Sequence, residues 1–237
     1  MLSVKGLEVS RGQGPAAFRV RLPQLELAAG QIVAVTGASG CGKSTLLESL
    51  GLLLRPARAD SFLLGHESRD IMALYDCRQD SELARWRARN LGFVLQNGGL
   101  LPYLSVWENM VLPRRLLGLP LQATHLDAAI QALKLERLLA LYPSALSIGE
   151  RQRVSFTRAI AHAPGLILAD EPTAALDPAT ARDLVQLFFT LARDLRLAVL
   201  LVSHDWDMLG EFSIPRLQAR VEPGLSLFLP ESRPPCS

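Results

Sequence analysis

Gly37-Ala-Ser-Gly-Cys-Gly-Lys-Ser-Thr45 is a complete G-x-x-x-x-G-K-[ST] run. It follows the apolar stretch Gln31-Ile-Val-Ala-Val-Thr36 and precedes the helical pattern Ser44-Thr-Leu-Leu-Glu-Ser-Leu50. Strand, glycine loop, helix is the order that lets such a run hold phosphate. Gly37, Gly40 and Gly42 free the backbone so that successive N–H groups converge on an anion at a positive helix end. Lys43 adds a point charge for β- and γ-phosphates, and the Ser44 hydroxyl is placed to ligate the magnesium ion bridging them. Ser39, Cys41 and Thr45 complete the candidate ATP contacts of the loop.

Outward from the loop, Leu91 to Gln96, Gly165 to Asp170 and Leu197 to Ser203 are further short apolar runs alternating with helical patterns. Together with Gln31 to Thr36 they read as buried parallel strands, which predicts an α/β fold around a parallel sheet. Between the second and third of these runs, roughly Asn97 to His162 is helix-rich and reads as an inserted subdomain. Thr124-His-Leu-Asp127 has capping-box spacing, and Leu126, Ile130 and Leu133 recur at helical intervals. The tail Pro230-Glu-Ser-Arg-Pro-Pro-Cys-Ser237 is expected to fray.

At 237 residues the chain is long enough for one large α/β domain or a core with a subdomain. Its formal net charge of +2 gives no footprint for nucleic acid. Three cysteines, Cys41, Cys77 and Cys236, lack metal-ligand spacing and fit a reducing compartment. Cys41 sits where a helix N-terminus lowers a thiol's pKa, so it reads either as an oxidation switch or as a passive small residue. There is no signal pattern at the N-terminus, and stretches such as Leu197 to Val202 are far too short to span a bilayer, so a cytoplasmic location is expected unless a partner holds the chain at a membrane.

Asp170 and Glu171 end the third run, at the carboxyl edge of the predicted sheet where ligands bind in such folds. Adjacent acids leaving a buried strand need a compensating cation or polar site. Asp170 suits the magnesium shell and Glu171 suits a base for the attacking water, which extends the reading from nucleotide binding to hydrolysis.

The phosphate loop, Leu95-Gln96-Asn97, Leu146-Ser-Ile-Gly-Glu-Arg-Gln-Arg-Val154, Asp170-Glu171-Pro-Thr-Ala-Ala-Leu-Asp177 and Val202-Ser-His204-Asp205 stand in the order of the motifs of ABC transporter ATP-binding subunits. The chain resembles that family over nearly all its length up to about Asp205. The stretches Glu82 to Asn97 and Leu100 to Met110 are similar to its lipoprotein-release and macrolide-export branch. The resemblance implies a phosphate-loop core with an N-terminal antiparallel β region and an inserted helical subdomain. The expected division is 1–96 and 163–225 for the core, 97–162 for the helical signature subdomain and 226–237 for the tail. It implies two subunits meeting head to tail, in a homodimer or heterodimer, each ATP clamped between one phosphate loop and the other subunit's signature run. Gln96 then senses metal and attacking water, Glu171 is the general base, His204 is the switch histidine at the γ-phosphate, and Asp177 lies in the loop crossing the dimer. Ser147 and Gly149 contact the other subunit's ATP, although a serine at a helix start is equally read as a plain cap. The apolar stretch Leu100 to Trp107 either packs the subdomain or receives a membrane-spanning permease subunit, which would hold the chain on the inner face of the cell membrane.

Some residues depart from the pattern. Ile148 stands at the first signature glycine, restricting the backbone and adding bulk where phosphate should approach. A hydrolysis-poor ATP-binding subunit of an asymmetric transporter is therefore the second reading, and a soluble non-transport ABC ATPase the third. No aromatic residue stands at Val9-Ser10-Arg11, where the family stacks adenine, and Phe18 is only a candidate substitute.

Overall fold

The computed structural model describes residues 1–12 and 17–231. In chain order the strands and helices are β1 (Leu2–Arg11), β2 (Phe18–Leu27), β3 (Ile32–Thr36), α1 (Lys43–Leu50), β4 (Ser61–Leu64), β5 (Arg69–Asp70), α2 (Ile71–Asp76) and α3 (Asp80–Asn90). They continue with β6 (Leu91–Val94), α4 (Val106–Leu116), α5 (Thr124–Ala132), α6 (Ile148–Ile160), β7 (Leu166–Asp170), α7 (Pro178–Asp194), β8 (Ala198–Val202), α8 (Trp206–Glu211), β9 (Arg216–Glu222) and β10 (Leu225–Pro230). All four predicted strands form, as β3, β6, β7 and β8. The chain divides into two compact units, one of residues 1–28, 32–84 and Leu200 onward, the other of 29–31 and 85–199.

In the first unit β1 and β2 pair antiparallel, Leu2 opposite Leu27 and Arg11 opposite Phe18. The buried face changes midway: Leu2 and Val4 are inside before Gly6, Leu7 and Val9 after it. Gly6 has φ +59°, a left-handed conformation that favours glycine, and a Cβ there would push aside the Asp60 carboxylate, 2.0 Å away at Oδ2. Strand β10 pairs parallel with β2 and antiparallel with β9, and β9 pairs parallel with β3. Every residue of β3 is buried, as expected for a strand covered on both faces. The segment after His204 thus supplies two strands, β9 and β10, to this unit. Pro230 closes β10, and Glu231 N–H donates to Arg216 O at 2.9 Å, so the tail is ordered further than expected. Residues 232–237, with Cys236, lie outside the described residues.

In the second unit β6 and β7 pair parallel, Leu91 opposite Leu166 and Val94 opposite Ala169. Helix α6 lies on β6 so closely that a Cβ at Gly92 would be 2.2 Å from Ala159 O. The rings of Phe156 on α6 and Phe188 on α7 stack at 4.0 Å. Leu126, Ile130 and Leu133 are buried as their spacing predicts. The capping box expected at Thr124 does not form: Ala123 is the N-cap without a side-chain bond, and Thr124 is already inside α5. The boxes form instead at Ser105 with Glu108 and at Ser147 with Glu150.

Candidate nucleotide site

The phosphate loop joins β3 to α1 in the first unit. Gly42 caps α1 at φ +90°, and a Cβ there would meet Val20 Cγ2 at 2.6 Å and Phe18 Cε1 at 3.0 Å. The Phe18 ring therefore lies directly against the loop. Gly40, at φ +76°, has open space around it, and Ala38, Ser39, Gly40 and Ser44 are exposed. The first-turn N–H groups of α1 have no intrahelical acceptors, and no acid stands in that turn. Lys43 is only 6% exposed; its Nζ donates to Gly37 O at 2.9 Å and Ala38 O at 3.0 Å. A buried ammonium resting on carbonyls beside a bare helix start is a site that fits phosphate. Thr45 is buried, and Cys41 is buried with Sγ against the Gly37 backbone, so Cys41 packs the loop instead of facing solvent.

Two further features of this unit frame the loop. Ser203 N–H donates to Val35 O at 3.3 Å, so His204 leaves β8 at the edge where β3 leads into the loop. Arg11, opposite Phe18 across the hairpin, pairs with Glu48 of α1.

The second unit holds the other candidates. Because Val94 is opposite Ala169, Gln96 and the Asp170-Glu171 pair leave β6 and β7 at one edge. Glu171 has φ +45°, a left-handed conformation that costs a residue with a Cβ about 1–3 kcal/mol. Asp177 caps α7 by accepting Thr180 N–H at 3.1 Å, and the Thr180 donors hold its carboxyl below the ordinary range.

Ser147 is the N-cap of α6. Its N–H and hydroxyl both donate to Glu150 Oε2, at 2.7 and 2.8 Å, and its Oγ accepts Glu150 N–H at 3.3 Å. These bonds hold Glu150 ionised, its pKa lowered by the Ser147 backbone first and the hydroxyl second. Ile148 occupies the first turn of α6 without positive φ and is 42% exposed, so the expected backbone restriction causes no strain and only its bulk remains. A Cβ at Gly149 would meet nothing nearer than Thr180 Cγ2 at 3.6 Å. A cavity of about 250 Å³ opens beside Gly149, lined by Lys134, Arg153, Thr180 and Asp183.

Glu150, Gln152 and Arg158 were not singled out from sequence. Glu150 was legible from the Ser-x-x-Glu spacing. The other two show themselves only by the loop they touch.

A glycine loop with a buried lysine at a bare helix start, on an α/β scaffold, defines a phosphate-loop nucleotide-binding protein. A model of the ABC transporter family matches residues 21–174, and the chain belongs to that family: it is an ATP-binding, ATP-hydrolysing subunit that powers membrane transport. The lipoprotein-releasing system ATP-binding protein LolD of Paramagnetospirillum magneticum is 41% identical over 187 residues, covering 78% of this chain and 79% of that protein. The methionine import ATP-binding protein MetN of Cupriavidus necator is 34% identical over 215 residues, covering 89% of this chain and 60% of that protein. The dimeric post-hydrolysis structure of the ATP-binding cassette MJ0796 bound to ADP and Pi superposes with TM-score 0.78 at 28% identity, covering 95% of this chain and 96% of that one. The ABC ATPase fold expected from the motifs is thus the fold found. No helix among the described residues is long and apolar enough to cross a membrane.

Proposed function

We propose that this chain is the energy subunit of a lipoprotein-release type transporter, working as one of two ATP-binding subunits beneath a membrane-spanning permease on the cytoplasmic face. The observation that carries the ATP site is the Lys43 ammonium, buried on the Gly37 and Ala38 carbonyls beside an acid-free helix start. Lys43 and the loop from Gly37 to Thr45 grip the phosphates of ATP. Ser44, Gln96 and Asp170 are the ligands offered to magnesium, which when bound draws charge from the β- and γ-phosphates. Glu171 takes the proton of the attacking water, and His204 donates a hydrogen bond to the γ-phosphate. Ser147 and Gly149 touch ATP held by the other subunit, and Asp177 stands in the crossing loop. Residues 97–162 form the helical signature subdomain within a core of 1–96 and 163–225.

The export reading is supported by 41% identity to a lipoprotein-releasing ATPase against 34% to a methionine importer. For the permease, the supporting surface lies after Gln96. Of the apolar stretch, only Val106 is fully buried, whereas Tyr103 is 71% exposed, and Leu141 and Tyr142 are exposed next to it, where Val106 N–H donates to Leu141 O. Asn109 fixes this loop by donating to Leu101 O, Leu104 O and Ser105 O, so the aromatic face is presented on a rigid base.

Glu171→Gln tests the mechanism. Turnover should fall by a factor of about 10² or more while calorimetry still detects Mg-ATP binding. An unchanged rate removes Glu171 from the role of base, and no ATP uptake by the unmutated chain removes the whole assignment.

A further inference from the structure

Four carbonyls of the segment after β6 accept hydrogen bonds from side chains of one helix. Gln152 of α6 is buried, and its Nε2 donates to Gln96 O at 2.5 Å and Leu95 O at 3.4 Å. Arg158, further along the same helix, donates to Gly99 O at 2.7 Å and Gly98 O at 2.9 Å. The backbone is shaped for this. Gly98 and Gly99 have φ +72° and +57°, which turn two successive carbonyls toward one guanidinium, and a Cβ at Gly98 would lie 3.4 Å from Arg151 O on α6 itself. Burial lowers the pKa of Arg158, as desolvation does for any cation, so its bonds to carbonyl oxygens compensate lost hydration.

The helix that grips this loop also begins at Ser147. We infer that Gln152 and Arg158 are positioning residues that clamp residues 95–99 onto α6, so that the Gln96 side chain and the Ser147 end of the helix move as one body. The inference rests on the role proposed for Gln96. A displacement of α6 at its start is carried to Gln96 without passing through the strands. Gln152 Oε1 is buried with no hydrogen-bond partner among the described residues. An unmet acceptor of this kind is a cost borne in the observed arrangement.

The test uses the full chain with two readouts. Hydrogen exchange of the peptide containing residues 95–99 is followed without nucleotide, and kcat and KM are followed with Mg-ATP. In Gln152→Leu, exchange in that peptide should rise about tenfold and kcat should fall about tenfold at nearly unchanged KM, because a misplaced catalytic group costs rate and not binding. Arg158→Met should do the same, and Arg158→Lys, which keeps a donor, should recover part of both effects. If Gln152→Leu does not fold, the Arg158 pair decides alone. Retained kcat with unchanged loop exchange overturns the clamp, as does faster exchange spread evenly over β7, α7 and the loop, which marks mere destabilisation. Failure of the function itself shows separately, as absence of ATP turnover in the unmutated chain, while the nucleotide-free exchange result still decides the clamp.

Discussion

The helices α1 and α6 begin differently, with Gly42 left-handed and uncapped at one and Ser147 extended in a capping box at the other, and they differ in the charge placed there. At α1 no acid stands in the first turn and Lys43 is close by; at α6 Glu150 occupies the N–H and hydroxyl of Ser147. The macrodipole that would favour phosphate at α6 is thus already answered by a carboxylate of the chain itself. That bond has a pH signature. Glu150 has a folded pKa below its ordinary 4.5, so its stabilisation is complete above that value and is lost as pH falls through the lower folded value. Glu108, lowered by the Ser105 backbone and then its hydroxyl, contributes at α4 with the same sign. The melting temperature should therefore drop on acidification below about pH 4.5, and Glu150→Gln should lose less over the same window. Thermal melts across an acid series check this; parallel curves for the two proteins would show that the box contributes nothing.

Helix α4 closes on Gly118 at φ +67°, but two other helix ends are made without the residue best suited to them. Helices α5 and α7 both close in Schellman motifs: Leu135 N–H donates to Ile130 O and Lys134 N–H to Gln131 O in one, Leu197 N–H to Ala192 O and Arg196 N–H to Arg193 O in the other. The left-handed positions are Lys134 at φ +55° and Arg196 at φ +53°, where glycine would be unstrained. Arg196→Gly should stabilise the protein by about 0.5–1 kcal/mol, the penalty of a Cβ in that region less the entropy glycine loses on folding. Denaturant unfolding measures it, and a lowered midpoint would mean the arginine side chain contributes more than its backbone costs. The same feature explains what was legible in the sequence. Strands β3, β6, β7 and β8 were readable because strands buried on both faces are unbroken apolar runs. The helix ends were not, since lysine and arginine carry no stop signal. Thr124 misled because spacing alone does not tell an N-cap from a first-turn residue. Strands β9 and β10 were missed because their mixed sequences are fixed by partners distant in the chain, β3 and β2, although Pro223-Gly224 between them is a turn signal. Within the candidate site, the loop residues announced their chemistry by type and spacing, whereas Gln152 and Arg158 act on carbonyls, which leave no mark in a sequence.

For the molecule as a whole, Gly149 raises the question of what completes it. Its φ is not positive, and a Cβ would meet only Thr180 Cγ2 at 3.6 Å and Leu176 Cδ2 at 3.9 Å, which is ordinary contact. Among the described residues no contact requires glycine there, which is compatible with the role proposed for Gly149 toward ATP held by another subunit. Ile148 stands at the same helix start, a residue 42% exposed, and would narrow such an approach. In a dimer of identical chains the bulk would obstruct both nucleotide sites; in a mixed dimer only one. Glu171→Gln with Mg-ATP should trap the closed pair by removing turnover, and adding Ile148→Gly should tighten self-association by about tenfold, the scale of one buried side chain's misfit at an interface. Sedimentation of the single and double variants with and without ATP measures the difference. Equal association would show that α6 of this chain does not close on a second copy, and the partner to seek is then a different ATP-binding subunit whose signature run lacks the isoleucine.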